Sequence, residues 1–76
     1  GGTVTNNYIY MYYSGDIVKN SGARYAKYIY VYDWDGNPVS KLILDRQIEG
    51  FAVSEDDSIM YAFDVNTGFL IQAKIN

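Results

Sequence analysis

Two short runs that alternate tyrosine with aliphatic residues constrain the fold of this chain more than any other feature. The first run covers residues 8–13 (YIYMYY) and the second covers residues 28–32 (YIYVY). Successive side chains of an extended strand point to opposite faces of a sheet, so a period of two is typical of β-structure. Aromatic and β-branched residues are also favoured in strands. Each run therefore predicts a β-strand.

Turn-forming residues separate these two runs from four further apolar segments. Clusters of Gly, Asn, Asp and Ser predict tight turns at residues 33–38, 55–58 and 66–68, and a longer polar loop at residues 14–24. The further strands are predicted at residues 39–44, 48–54, 59–64 and 69–75. A helix over residues 39–48 is the less favoured alternative there, because Leu44 and Ile48 interrupt its apolar stripe. The connections are too short for parallel crossovers, so we predict an all-β antiparallel meander of about six strands without substantial helix.

Size and composition exclude several classes of function. The chain has 76 residues, of which 49% are hydrophobic, and this is enough for one small domain over residues 1–76. It contains no His and no Cys, so it lacks the Ser-His and Cys-His nucleophile systems and the usual zinc and iron–sulfur ligands. The net charge is -3 and the basic residues are scattered singly, which argues against nucleic acid as a partner. No apolar stretch approaches the ~20 residues that span a bilayer. Gly1 resembles the remnant of a cleaved purification tag, and Gly2 is a second candidate for the same origin.

One acidic turn invites a calcium-binding interpretation. Asp33, Asp35 and Asn37 alternate as in an EF-hand loop. A loop that starts at Asp33 also needs Gly at its sixth position and Glu at its twelfth, where this chain has Pro38 and Leu44. Hairpin-turn chemistry explains the three polar residues, so we expect no metal site.

The other carboxylates give no catalytic pattern. Residues 55–57 are three adjacent acids in a short turn, where their side chains point apart into water. A glycosidase-like pair of Asp64 with Asp33 or Asp45 has no support in the spacing, and strand-end Asp residues ordinarily bond to the following turn. We therefore expect no enzyme activity and no cofactor.

The two tyrosine runs are apolar or amphipathic on both faces, which is unusual for a strand with one solvent-facing side. Exposed rings of this kind stack on sugars or peptides, become buried against another blade or subunit, or form a solvated rim. Burial in an interface is favoured over ligand stacking because aromatic residues are enriched at interfaces. The candidate ligand or interface surface consists of Tyr8, Tyr10, Tyr28, Tyr30 and Trp34. The predicted core consists of Ile9, Met11, Ile29, Val31, Leu42, Leu44, Phe51, Val53, Met60, Ala62 and Leu70.

Three segments together resemble the C-terminal end of the TolB-like six-bladed β-propellers found in gut Bacteroidetes. They read YIYMYYSGD, KYIYVYDWDGNPVSKLILD and IEGFAVSEDDSIMYAFDVNTGFLIQAKI, and they cover nearly the whole chain. Part of the third, FAVSEDDSIMYAF, is also similar to the strand pattern of NHL-repeat propellers. The resemblance implies strands two to four of one blade followed by strands one to three of the next, or about one and a half to two blades. It also implies a secreted, periplasmic or cell-envelope location.

These observations favour a non-enzymatic, propeller-derived scaffold or protein-interaction module. The alternative is a carbohydrate- or peptide-binding module that uses the Tyr and Trp stripe, and a more distant one is an enzyme fragment whose catalytic residues lie in other blades. Residues 69–75 and residues 2–13 are expected to leave open hydrogen-bonding edges, to which residues 3–5 are able to add a strand. The expected partner is a second copy of the chain or the remainder of a propeller, unless the first strand pairs with the last.

Overall fold

The structure is a computed structural model that describes the backbone of residues 1–17 and 24–76 and the side chains of residues 1–12 and 28–76. Its described residues form seven strands and no helix. The strands are β1 (Gly2–Val4), β2 (Ile9–Ile17), β3 (Arg24–Tyr32), β4 (Pro38–Ile43), β5 (Ile48–Val53), β6 (Ile59–Asp64) and β7 (Leu70–Lys74). The predicted all-β fold class is therefore confirmed.

The strands form two antiparallel meanders, which we call sheet 1 and sheet 2. Sheet 1 has the order β1-β2-β3-β4 and sheet 2 the order β5-β6-β7. The count exceeds the predicted six because Gly2–Val4 adds a short strand to β2, with Val4 opposite Ile9. β1 pairs only with β2 and β7 only with β6 among the described strands, so the alternative in which the first strand pairs with the last is wrong.

Two local predictions need correction. The helix considered over residues 39–48 is wrong, because this segment is β4 followed by a turn and the start of β5. The loop predicted over residues 14–24 is shorter, since β2 continues to Ile17 and β3 begins at Arg24, with register shifts on either side of Ser14. Such irregularities let polar residues lie within a twisted ribbon. The rest of that predicted loop, residues 18–23, lies outside the described residues.

The core lies between the two sheets. Its buried apolar residues are Tyr10, Ile29, Val31, Ile48, Met60 and Ala62, and the partly buried residues around them include Leu42, Leu44, Phe51 and Val53. Burial of Ile29, Val31, Met60 and Ala62 agrees with the predicted core. Tyr12 of sheet 1 meets Phe51 of sheet 2 edge to face, with ring centroids 5.5 Å apart.

The predicted inward face of β2 is wrong. In the β2–β3 register Tyr10 is opposite Val31 and Met11 is opposite Tyr30. Residues opposite each other share a face, so the buried Val31 places Tyr10 in the core and leaves Met11, with Ile9, on the outer face. The prediction that Leu70 belongs to the core is also wrong, because Leu70 is 72% exposed. Its neighbour Ile71 takes the inward position, opposite Ala62.

The sheets are close at one side and diverge at the other. β5 contacts β1 and β3, whereas the fully described strands β4 and β7 do not approach each other. Two clefts of about 350 Å³ each are present, one beside β4 and the other between the β4–β5 connection and sheet 2. One is lined by Tyr8, Leu42 and Ile75 and the other by Leu44, Ile48 and Ile71, among others.

Candidate interaction surfaces

The five predicted surface residues do not lie on one surface. Tyr8 and Tyr10 are on the core face of sheet 1, where their rings meet edge to face at 6.3 Å. Tyr28 and Tyr30 are on the opposite face, because they alternate with the buried Ile29 and Val31 along β3. The structure thus divides the predicted stripe between the inside and the outside of sheet 1.

The outer face of sheet 1 carries the remaining tyrosine pair. The rings of Tyr28 and Tyr30 are 6.2 Å apart and tilted by 53°, so they do not form a flat stacking platform. Lys41 places its Nζ 4.7 Å from the centre of the Tyr28 ring, in a cation–π contact. This contact leaves the outer face of sheet 1 with a charged as well as an aromatic character.

Trp34 lies in the β3–β4 turn and is 56% exposed. Its indole Nε1 donates a hydrogen bond to the main-chain oxygen of Thr5 at 3.1 Å. The side chain therefore ties this turn to the β1–β2 connection, and it also presents a ring to solvent.

The outer face of sheet 2 is apolar. Along β6, Tyr61 and Phe63 alternate with the buried Met60 and Ala62 and point away from the core, and Leu70 of β7 is opposite Phe63. Tyr61 is 37%, Phe63 40% and Leu70 72% exposed. This face was not predicted from the sequence, although the segment IMYAFD is apolar at both phases of the strand period, like the tyrosine runs.

A buried carboxylate connects the two sheets. Asp57, in the β5–β6 turn, is 3% exposed. Its Oδ1 accepts hydrogen bonds from the hydroxyls of Thr5 and Tyr10, both at 2.7 Å, and its Oδ2 accepts one from Asn7 Nδ2 at 2.8 Å. All three donors belong to sheet 1 or its β1–β2 turn. We call this group the Asp57 clamp: Asp57, Thr5, Asn7 and Tyr10.

The clamp lowers the pKa of Asp57 and raises the pKa of Tyr10. Burial of Asp57 raises the pKa of its carboxyl, but the bonds from Thr5, Asn7 and Tyr10 outweigh burial and hold that pKa below its ordinary value. Burial of Tyr10, together with its bond to Asp57, raises the pKa of its phenol well above the ordinary value of 10.0. The stable form of the clamp is therefore an ionised carboxylate that faces a neutral phenol.

The prediction that Asp57 lies in a solvated acidic turn, with its side chain in water, is wrong, because Asp57 is buried. A comparison of two turns shows why the sequence gives no clear signal for its burial. Gly36 N–H donates to Asp33 O at 3.0 Å and Asp57 N–H donates to Ser54 O at 2.9 Å, so the two turns share one pattern. Gly36 has φ 87° and Asp57 has φ 62°, in the left-handed region that favours glycine. Aspartate adopts this conformation more readily than most residues, so the turn position alone is compatible with a local role and only the structure shows the long-range bonds of its side chain.

The other acids with shifted pKa values serve turns. Asp33 accepts bonds from the N–H groups of Asn37 and Asp35, and these bonds lower the pKa of its carboxyl. Asp64 accepts a bond from Arg46 Nη1 at 2.8 Å and one from Asn66 N–H at 2.9 Å, and Arg46 gives the largest lowering of its pKa. In the described parts of the chain, no three acidic side chains converge as a metal site would require.

The comparison with known families agrees with this architecture. A family model described as TolB-like 6-blade propeller-like matches residues 1–56. The chain belongs to this TolB-like family. The match contains all of sheet 1, which has the four antiparallel strands of a propeller blade, and extends through β5 into the turn that carries the Asp57 clamp. No curated protein and no solved structure matches the chain. The described residues contain no helix long and apolar enough to cross a membrane.

Proposed function

We propose that this TolB-like chain is a non-enzymatic protein-interaction scaffold that binds protein partners through the outer face of sheet 2. The observation that carries the proposal is the exposure of Tyr61, Phe63 and Leu70 side by side on one sheet face. Contiguous exposed apolar side chains on a soluble fold mark interaction sites, and aromatic residues are enriched in them.

The acidic side chains support a function without catalysis. General acid–base chemistry needs a carboxyl in reach of a substrate, with a pKa raised towards the working pH. Asp33, Asp56, Asp57 and Asp64 all have lowered pKa values because they accept internal hydrogen bonds. These groups act as ionised acceptors that hold turns and sheets in place.

A carbohydrate- or peptide-binding role is the second candidate, and the exposed indole of Trp34 favours it. A Trp34→Ala variant separates the two functions. Loss of glycan binding by a folded protein would support the ligand-binding role, whereas unfolding or dissociation would support a structural role for the ring. Membership of the TolB-like family also supports a secreted or cell-envelope location, which we propose together with the scaffold function.

The scaffold function is tested with 8-anilinonaphthalene-1-sulfonate, a fluorescent probe of apolar surface, at concentrations where the protein is monomeric. We expect the folded protein to bind the probe and the Phe63→Glu and Leu70→Glu variants to lose most of the signal. Ile43→Glu is the matched control, because Ile43 is 73% exposed on sheet 1, opposite Tyr28. No binding by the native protein, or loss in the Ile43 variant alone, would overturn the assignment to sheet 2.

A further inference from the structure

We propose that the partner of the outer face of sheet 2 is a second copy of this chain, which covers that face with the outer face of its own sheet 1. The inference rests on the proposed interaction function and names the partner. Its basis is an internal repeat. The two sheets carry similar residues at equivalent positions, so the packing between them inside the chain can be repeated between copies.

The strand registers show which positions of the two sheets are equivalent. In each sheet the last residue of the first strand is a valine opposite an apolar residue of the second strand: Val4 opposite Ile9 in sheet 1, and Val53 opposite Met60 in sheet 2. When the two sheets are aligned on these pairs, three further pairs of apolar residues become equivalent on one face. These pairs are Tyr10 with Tyr61, Tyr12 with Phe63, and Ile29 with Leu70.

The equivalent residues have similar chemistry but different surroundings. In sheet 1 the two aromatic residues and the aliphatic residue face the core between the sheets, where Ile29 is completely buried. In sheet 2 the same three positions point outward, and Leu70 is 72% exposed. The outer face of sheet 2 therefore repeats the surface of sheet 1 that sheet 2 covers inside the chain.

The surface that does the covering also occurs twice. The inner face of sheet 2 packs on sheet 1 with apolar side chains, and the same alignment gives three of them an apolar equivalent on the outer face of sheet 1. These pairs are Val53 with Val4, Met60 with Ile9, and Ala62 with Met11. Sheet 1 of a second copy thus presents to sheet 2 the kind of surface that sheet 2 presents to sheet 1 inside the chain.

The hydroxyl of Tyr61 also finds an acceptor in this arrangement. Inside the chain, the hydroxyl of the equivalent Tyr10 donates a hydrogen bond to Asp57 in the first connection of sheet 2. The first connection of sheet 1 is the β1–β2 turn, where Asn6 is exposed. An amide oxygen accepts a hydrogen bond from a phenol, so this turn of the second copy supplies the partner that a buried tyrosine needs.

The contact joins two different faces and is therefore heterologous. Each copy keeps one face of each kind free, so association continues beyond a dimer. A contact of sheet 2 with sheet 2 would instead be self-complementary and would end at a dimer. Face-to-face packing uses no hydrogen-bonding edge of either sheet, and it is compatible with blades of four strands.

The test places a charge on each face separately. Phe63→Glu puts a carboxylate on the outer face of sheet 2, and Ile43→Glu puts one on the outer face of sheet 1, where Ile43 is 73% exposed. By sedimentation velocity we expect the wild type to form dimers and larger species. Each variant alone should need at least about tenfold higher concentration to associate, because the contact would bury an unpaired charge. Asn66→Glu is the matched control, since it adds the same charge in the exposed β6–β7 turn, outside both faces.

An equimolar mixture of the two face variants gives the decisive measurement. The unaltered sheet 2 face of the Ile43→Glu protein meets the unaltered sheet 1 face of the Phe63→Glu protein. The mixture should therefore form a 1:1 dimer with the wild-type affinity and nothing larger. Circular dichroism establishes that each variant is folded, and Leu70→Glu takes the place of Phe63→Glu if that variant unfolds.

Three results would overturn the second copy as the partner. They are a wild type that stays monomeric at about 1 mM, self-association of Ile43→Glu at wild-type concentrations, and a mixture of folded variants that stays monomeric. Binding of the apolar probe by the dilute monomer is measured separately. Probe binding to sheet 2 without association would refute this partner alone, whereas a native protein that binds no probe would refute the interaction function itself.

Discussion

At the scale of single residues, Asp57 shows how one carboxylate stabilises a contact between distant parts of the chain. Its backbone has φ 62°, a conformation that costs a non-glycine residue about 1 kcal/mol. Three charge-assisted hydrogen bonds offset that cost, and each such bond contributes about 1.5–3 kcal/mol. They also satisfy the hydroxyl of Tyr10, a residue that is only 3% exposed. The position therefore favours aspartate over glycine.

Substitutions at Asp57 should destabilise the protein in a defined order. Asp57→Asn keeps most of the shape and should lower the free energy of unfolding by about 1 kcal/mol. Asp57→Gly relieves the backbone strain but leaves Tyr10 unpaired, and should cost about 2–3 kcal/mol. Asp57→Ala keeps the strain as well and should cost about 1 kcal/mol more.

Urea unfolding followed by Trp34 fluorescence measures these values. Gly36→Ala in the equivalent turn is the control. An added Cβ there meets no atom within 4 Å, so the variant is destabilised only by the left-handed backbone conformation. An Asp57→Gly variant as stable as the wild type would show that the bonds of the clamp contribute no more than the backbone strain that they offset.

At the scale of elements, β2 shows that a strand of ambiguous pattern takes its orientation from its neighbour. Both phases of YIYMYY are able to form a core face. The register with β3 pairs odd-numbered residues of β2 with even-numbered residues of β3, as in Ile9 with Tyr32. Since Ile29 and Val31 face the core, the even-numbered tyrosines of β2 must follow them.

This orientation predicts unequal effects for two adjacent substitutions. Tyr10→Ala removes a buried ring and should lower the free energy of unfolding by about 3–5 kcal/mol. Met11→Ala acts on the outer face and should cost less than about 1 kcal/mol. Chemical denaturation of both variants under the same conditions checks the difference. A larger loss for Met11 would show that β2 faces the other way.

At the scale of the whole molecule, the sheets are joined by a thin apolar layer and by the Asp57 clamp. Buried apolar side chains from both sheets meet in this layer, and β4 and β7 diverge beyond it. An ionic group that spans two sheets makes their unfolding interdependent and sensitive to pH. We therefore expect acid to unfold the two sheets in a single transition.

Stability should fall on acidification below about pH 4. The pKa values of Asp57 and Asp64 are lowered in the folded state. The unfolded chain therefore takes up protons first, and the stabilisation, complete above the ordinary carboxyl pKa, is lost as the pH falls through the folded-state values. The raised pKa of Tyr10 gives the opposite dependence, with a loss of stability that begins above about pH 10.

Urea midpoints measured across this pH range check both limbs. Asp57→Asn should flatten the acid limb, and Trp34 fluorescence and far-ultraviolet circular dichroism should give coincident transitions. Separate transitions for the two probes would mean that the sheets unfold independently.

Local pattern predicted six of the seven strands, their antiparallel connections and the tight turns, because these depend on the period of two and on residues within a few positions of one another. It also identified Ile29, Val31, Met60 and Ala62 as core residues. Only the tertiary structure decided which face of β2 is buried and which acid is a clamp. Register couples the whole face of a strand to a neighbour, and the clamp joins Asp57 to donors 47 to 52 positions away, a distance that local pattern does not encode.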